Sequence, residues 1–232
     1  GYLDHYKNVL PILEKNKIKA IFYPVVSSIT KNRILDVNKI HLILSFFKNH
    51  KSLLKTILGE LKKNFNININ QILSKIDSYS KYDSVETIII KRLLQRDLDE
   101  NIRSLIINRF IKKMKIKEEK FSKHLYLNLE MIKELRKLGH EIGCHTYSHK
   151  WLGYMNEKNQ LDEINKNLNF LRKNKLIDKD WSFCFPYGNY NHLTIKILKK
   201  LKCNFAVTTK HGEFDKKLNK LELPRIDTNE MH

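Results

Sequence analysis

Two histidines four residues apart, His145 and His149, are the side chains of this chain whose spacing best suits chemistry. They follow a strand-like run from Glu141 to Cys144, so we expect them where a strand gives way to a loop or a helical turn. On a turn of helix, this spacing places both imidazoles on one face, where they can meet one ion. By residue chemistry alone, a metal-binding pair and two structural histidines are about equal alternatives.

The elements that must position the pair follow from hydrophobic periodicity. Leu129 to Leu138 is predicted to be an amphipathic helix that ends at Gly139, and Asn156 is predicted to cap the next helix. Continuous apolar runs at Ile18 to Val26 and Trp181 to Phe185 are typical of buried parallel strands. Similar patterns predict helices at Asp4 to Lys15 and His192 to Leu201, and strands at Phe205 to Thr209 and Leu221 to Asp227. The alternation indicates an α/β fold.

Residues 29–122 differ in kind, because apolar residues recur there at helical spacing and almost no glycine or proline interrupts them. The pattern predicts an all-helical insertion between the start of an α/β barrel, residues 1–28, and its remainder, residues 123–232. By the logic of such barrels, the insertion would lie on the same face as the site and act as a lid or substrate-selecting surface. A packing or dimerisation subdomain is an equal alternative, and the sequence leaves the oligomeric state open.

Composition allows one large α/β domain and limits the partners. The 232 residues include 44 Lys+Arg and 25 Asp+Glu, a net charge of +19, but the basic residues are spread along the whole chain. Without an arginine-rich tract, nucleic-acid binding is not expected. The three cysteines fit neither a disulfide framework nor a Cys-x-x-Cys site, and no apolar run is long enough for a membrane span.

Three stretches, in order, resemble the polysaccharide deacetylases (NodB homology, carbohydrate esterase family 4). His145-Thr146-Tyr147-Ser148-His149 resembles the family's second motif, His-Ser/Thr-x-x-His, whose histidines bind a divalent metal. Gly1 to Leu13, followed by Ile18 to Tyr23, is similar to the sequence after the first motif, Phe-Asp-Asp-Gly. Phe185-Pro186-Tyr187-Gly188 is similar to the third motif, Arg-x-Pro-Tyr-Gly.

The resemblance implies an irregular, incomplete (β/α) barrel of the NodB type that carries the large helical insertion. It implies a metal-dependent hydrolase that removes N-acetyl, less often O-acetyl, groups from a bacterial surface polysaccharide or its precursor. The ion would be Zn²⁺ by default, with Co²⁺, Mn²⁺ or Ni²⁺ as alternatives. A catalytically inactive carbohydrate-binding relative is the alternative function. We expect a cytoplasmic or cell-envelope location, with the cytoplasm slightly favoured.

The resemblance also assigns roles to residues. His145 and His149 would bind the metal, and the backbone N–H of Tyr187 would help to hold the oxyanion. Pro186 and Gly188 would contact substrate together with Tyr187, and Trp151 could stack on a sugar ring, although simple packing is an alternative.

Two departures from the family pattern concern the acid–base groups. The arginine of the third motif is replaced by Cys184; Arg225 is the best local candidate to supply a guanidinium, and a surface pair with Asp227 is its alternative. If Gly1 matches the glycine of Asp-Asp-Gly, the aspartates that ligate metal and act as base precede it, and the chain is a fragment that would be inert alone. The general acid is unassigned, since neither His211 nor His232 matches the family setting.

Overall fold

The structure, a computed structural model, describes residues 1–65, 67–74, 76 and 83–231. Residues 66, 75 and 77–82 of the predicted helical segment, and His232, lie outside the described residues. The chain divides into two compact units, one formed by Gly1–Arg33 and Glu118–His232 and the other by Ile34–Lys117.

The described helices and strands follow one another in a mixed order. A π-helical turn (His5–Val9) leads into α1 (Leu10–Lys15), which is followed by β1 (Ile21–Phe22) and α2 (Val26–Thr30). The second unit contains α3 (Asp36–Phe46), α4 (His50–Phe65), α5 (Ile69–Leu73), α6 (Val85–Arg92), a π-helical turn (Leu93–Asp97) and α7 (Glu100–Lys113). The first unit resumes with α8 (Glu118–Leu125), α9 (Leu129–Lys137), β2 (Glu141–Ile142), α10 (Glu157–Lys173), β3 (Ser182–Cys184), α11 (His192–Lys200), β4 (Phe205–His211) and β5 (Leu223–Arg225).

The five strands lie in parallel in the order β1-β2 and β3-β4-β5. An isolated parallel bridge between Cys144 and Phe183 joins the two sheets just beyond the end of β2. All carboxyl ends therefore face one edge, as in other parallel α/β folds. The chain has the α/β architecture that the sequence predicts.

Helix ends in this unit are set by local side chains. Asn128 and Asn156 cap α9 and α10 by accepting backbone N–H groups, and Asn191 forms a capping box with Thr194 at α11. Gly139, with φ of +86°, follows α9 at the position where a left-handed residue stops a helix. The fully buried core side chains of these helices include Ile132, Leu135, Ile164, Leu168, Leu171 and Leu198.

The second unit has its own apolar core. Its helices bury one stripe each, as their periodicity predicts. The fully buried members include Ile40, Ile43, Ile57, Leu61, Ile90, Ile106 and Ile107. No helix in the described part of the chain is long and apolar enough to cross a membrane.

The predicted strand Ile18 to Val26 is wrong over most of its length. Only Ile21 and Phe22 pair with β2, and Val26 already begins α2. Pro24 has no N–H to donate to a neighbouring strand, and the Ser27 N–H turns to the carbonyl of Tyr147. The run is exposed at Ile18 and buried from Pro24 to Val26, and it changes from strand to helix after the proline.

Gly143 lies where the backbone passes closest to its neighbours. A Cβ there would lie 2.1 Å from Cε1 of Tyr23 and 2.8 Å from Oγ of Ser182, and these two side chains are themselves hydrogen bonded. We expect Gly143→Ala to lower the free energy of unfolding by about 2 kcal/mol or more, because the core must shift to admit one methyl group. Urea unfolding followed by circular dichroism measures the change.

Gly59 in α4 provides a matched control. No atom lies within 4 Å of a Cβ built there, so Gly59→Ala should stabilise its helix by up to about 1 kcal/mol. Equal effects of the two substitutions would contradict the close packing of Gly143.

Candidate functional site

The histidine pair lies in a bent loop at the carboxyl edge of the strands. His145 follows Cys144, which pairs with Phe183 of β3. The loop is not the helical turn considered from the sequence, because Thr146 and His149 adopt left-handed φ values of +60° and +59°. The two rings nevertheless meet, with centroids 4.8 Å apart at an angle of 75°. The structure thus brings the pair together by a different backbone route.

Side chains of α10 hold this loop in place. The buried Glu163 carboxylate accepts hydrogen bonds from the backbone N–H of Ser148 at 2.8 Å and from its hydroxyl at 2.6 Å. The fully buried Asn167 donates from Nδ2 to the carbonyls of Thr146 and Pro24. Since left-handed residues are strained outside glycine, such contacts are needed to maintain the loop.

The ring of His145 is oriented by β3. Its Nδ1 lies 2.6 Å from the carbonyl oxygen of Cys184, which can only accept a hydrogen bond. Nδ1 therefore carries the proton, and Nε2 keeps its lone pair for a ligand. Burial lowers the pKa of His145 to about 3, assisted by the neighbouring His149. The imidazole is neutral at physiological pH, as metal ligation requires.

His149 is also neutral, because burial lowers its pKa to about 4. Its Nδ1 is buried without a hydrogen-bond partner within the described residues. A buried polar atom without a protein partner is uncommon, and such an atom can bind a ligand, an ion or water. The two rings thus present chemistry that fits part of the coordination shell of a divalent ion.

The third-motif turn packs directly against the pair. The ring of Tyr187 lies 4.6 Å from that of His149, and Tyr187 has a left-handed φ of +56°. Pro186 is buried at the start of this turn. Gly188 also has positive φ, and a Cβ there would lie 2.0 Å from Oγ1 of Thr209, so no larger residue fits.

Trp151 extends the site away from the histidines. Its indole stacks on Tyr187 with centroids 4.4 Å apart and an angle of 11° between the planes. The structure therefore brings His145, His149, Tyr187 and Trp151 into one continuous row of rings.

Arg225 reaches the same region from β5. Its Nε donates to the carbonyl of Thr208 at 2.6 Å, and the guanidinium lies against the Cys184 thiol. Burial raises the pKa of that thiol, and the charge and hydrogen bond of Arg225 oppose the rise. The charge of Arg225 also contributes to the lowered pKa of His145. A guanidinium is thus present beside the position of the third-motif arginine.

A third metal ligand is not found in the part of the chain that the structure describes. No group of three or more His, Cys, Asp or Glu side chains there could hold an ion. The amino group of Gly1 lies near enough to His145 and His149 to lower the pKa of both. The backbone at Gly1 therefore lies within electrostatic range of the histidine pair.

Sequence reasoning missed the residues that support the loop. Gln160, Glu163 and Asn167 recur at intervals of three and four, so they share one face of α10 with buried apolar residues. Polar residues on the apolar face of a helix were the available signal, because burial requires them to find partners.

Sequence comparison supports the family, and structural comparison supports the fold. Residues 106–206 match the family described as polysaccharide deacetylase. The resemblance to the polysaccharide deacetylases is confirmed. No curated protein matches this deacetylase-like chain in sequence.

Two solved deacetylase structures share its α/β fold. The BpsB deacetylase domain from Bordetella bronchiseptica aligns over 97% of this chain and 67% of its own, with 12% identity and a TM-score of 0.52. A de-N-acetylase from Aggregatibacter actinomycetemcomitans aligns over 97% of this chain and 66% of its own, with 12% identity and a TM-score of 0.50. The Streptococcus pyogenes deacetylase PplD aligns over 59% of each chain, with 21% identity and a TM-score of 0.42. The chain thus spans 59% to 67% of the lengths of these proteins.

We expect the metal-free deacetylase-like chain to lose stability as the pH falls from 7 towards 4. The folded-state pKa values of His145 and His149, about 3 and about 4, lie below the ordinary value of 6.5. Between these values the unfolded chain binds protons that the folded chain does not. Each ring then removes up to about 1.4 kcal/mol of stability per pH unit, and its contribution is fully present above pH 6.5. Urea unfolding in a chelator at several pH values measures the slope.

A variant with both His145→Gln and His149→Gln is the control. It retains His5, whose burial also lowers its pKa to about 4, so part of the slope remains. A slope unchanged from the unaltered chain would contradict the buried, neutral state of the pair.

Proposed function

We propose that this chain is part of a metal-dependent deacetylase that removes N-acetyl, less often O-acetyl, groups from a bacterial surface glycan or its precursor. The observation that carries the proposal is the packing of the His145–His149 pair against the Pro186-Tyr187-Gly188 turn. The polysaccharide deacetylase match includes both segments, and the structures of similar fold are deacetylases.

His145 and His149 would hold the divalent ion, with Zn²⁺ as the default for imidazole and carboxylate ligands. When bound, such an ion supplies an activated water and polarises the acetyl oxygen. The backbone N–H of Tyr187, fixed in the turn, would donate to the developing oxyanion.

The proposal places the ion's carboxylate ligand and the general base in residues that precede Gly1. Support comes from the position of Gly1, whose amino group is within electrostatic reach of both imidazoles. An Asp-Asp pair immediately before Gly1 would supply these two carboxylates. The general acid remains unassigned.

Arg225 would supply the guanidinium that the third motif lacks. Its side chain reaches the Cys184 thiol, and the Cys184 carbonyl orients His145, so the charge lies beside the reacting centre. A guanidinium there would orient the carboxylate base through charge-assisted hydrogen bonds. Arg225 is thus proposed as a positioning residue.

We further propose that the first unit is an irregular, incomplete (β/α) barrel and that Ile34–Lys117 is a helical insertion in it. The five parallel strands and the separate apolar core of residues 34–117 support this division.

A noncatalytic glycan-binding relative is the second candidate. It is favoured by the lack of a third ligand within the described residues and by Cys184 at the place of the family's arginine. This candidate would keep the aromatic surface but bind no ion.

We expect a longer chain, which includes the residues encoded before Gly1, to bind one Zn²⁺ and to release acetate from N-acetylglucosamine oligomers. His145→Ala or His149→Ala should weaken Zn²⁺ binding by more than the roughly 10- to 100-fold typical of outer-shell changes, and should abolish acetate release. Competition with a colorimetric chelator and an enzymatic acetate assay measure the two quantities.

His124→Ala, on the exposed surface of α8, is the matched control and should change neither. Failure of the longer, folded chain to bind any divalent ion would refute the deacetylase proposal and favour the noncatalytic binder.

We expect Arg225→Ala in the active, longer chain to lower kcat about 10- to 100-fold with little change in KM, because a positioning contact is lost and substrate contacts remain. Arg225→Lys should also be impaired, since an ammonium cannot reproduce the guanidinium fork. Cys184→Arg, added to Arg225→Ala, should restore part of kcat by returning the charge to its usual position.

Arg136→Ala, which removes a surface contact with Asp178, is the control for loss of an arginine. If Arg225→Ala alters only thermal stability and leaves kcat unchanged, the side chain has a structural role instead.

A further inference from the structure

The row of rings that begins at the histidine pair does not end at Trp151. Tyr154 lies beyond it, with its ring 6.1 Å from that of Trp151 and inclined at 69°. The side chain is 66% exposed, although it is large and partly apolar. A stepped aromatic surface therefore runs from the buried imidazoles outwards to Tyr154.

The loop that carries Tyr154 is held in place at both sides. Leu152 is fully buried in the core. The Gly153 N–H donates to Oδ1 of Asn189 at 2.7 Å, and Nδ2 of Asn191 donates to the Gly153 carbonyl at 3.0 Å. A Cβ at Gly153 would lie only 2.8 Å from Oδ1 of Asn189, so a larger residue would displace this side chain. Tyr154 thus projects from a fixed turn, so little conformational entropy is lost when a ligand binds to its ring.

The chemistry of this surface suits a chain of pyranose sugars. Aromatic faces pack on the apolar C–H faces of sugar rings, while tyrosine hydroxyl groups can bond to sugar hydroxyls. The surface is continuous with the candidate site through Trp151 and Tyr187, so its occupant would extend from the reacting group. A protein partner would not need contacts that continue along these rings to the histidine pair.

We propose that Tyr154 forms a separate subsite for a neighbouring sugar of the glycan whose acetylated unit occupies the histidine site. The inference rests on the proposed function, since it takes the histidine site as the place of the acetylated unit. It adds a requirement for an oligomeric substrate: a single sugar bound at the histidines would not reach Tyr154, whereas a longer chain would.

Binding of N-acetylglucosamine and its oligomers of two to six units to the unaltered chain tests the subsite. Calorimetry gives the affinities, and fluorescence of Trp151, beside Tyr154, reports occupancy, because the second tryptophan, Trp181, is buried. We expect affinity to rise with length. Tyr154→Ala should lower the affinity of the longer oligomers about three- to ten-fold and leave that of the monosaccharide unchanged. Tyr154→Phe should retain most of the gain.

Phe214→Ala is the matched control, because Phe214 is 67% exposed in the same unit and lies outside the row of rings. It should change no affinity. An equal affinity of the unaltered chain and Tyr154→Ala for every oligomer would overturn the subsite and leave the exposed ring for another partner. An equal loss for monosaccharide and oligomers would overturn it as well, since it would indicate a general disturbance of the loop.

The subsite and the proposed function can fail separately. Glycan binding can be measured without metal, so loss of Tyr154-dependent binding beside intact, histidine-dependent acetate release overturns only the subsite. If affinity rises with oligomer length but the longer chain binds no ion and releases no acetate, the subsite is supported and the deacetylase proposal is refuted.

Discussion

A stripe of buried polar side chains on α10 is the constraint on which the site depends. Gln160, Glu163 and Asn167 are buried and lie on one face of the helix. Gln160 bonds to the carbonyl of Met155 and accepts the Thr194 hydroxyl, while the other two hold the histidine loop. Buried polar groups are costly unless satisfied, so these contacts fix the loops to one arrangement. The helix supplies both core packing and the position of the site.

That arrangement allows a backbone that would otherwise be strained. Thr146, His149 and Tyr187 all have left-handed φ values, which non-glycine residues adopt only when the surroundings compensate. The Thr146 side chain accepts the N–H of His149 at 3.0 Å, the Tyr147 N–H donates to the backbone carbonyl of Glu163 in α10, and the Tyr147 carbonyl accepts the N–H of Ser27. The result is a pair of half-buried imidazoles that are neutral and held in fixed positions. Such preorganisation is what a metal site requires of its support.

Sequence patterns predicted the elements well, but they did not predict this loop. Periodicity and caps placed both ends of α9 and the start of α10 within about one residue, because those signals are local. The predicted length of the first strand was wrong, because Pro24 has no N–H with which to continue the pairing to β2. The left-handed residues of the histidine loop, none of them glycine, had no sequence signal, because tertiary hydrogen bonds from Glu163 and Asn167 stabilise them. The two histidines could be chosen as candidates from the sequence because their side-chain chemistry does not depend on the backbone conformation.

Under the proposed function, Arg225 would keep a guanidinium at the site although Cys184 stands at the place of the motif arginine. β3 and β5 both pair with β4, so residues near their carboxyl ends lie at the same edge of the sheet. A long side chain from β5 can therefore reach the space that an arginine on β3 would fill. A sequence motif specifies one residue on one strand, whereas the reaction depends on the position of the guanidinium group, whichever strand carries it. Because neighbouring strands share an edge, replacement of the motif arginine does not by itself argue that the chain lacks the activity.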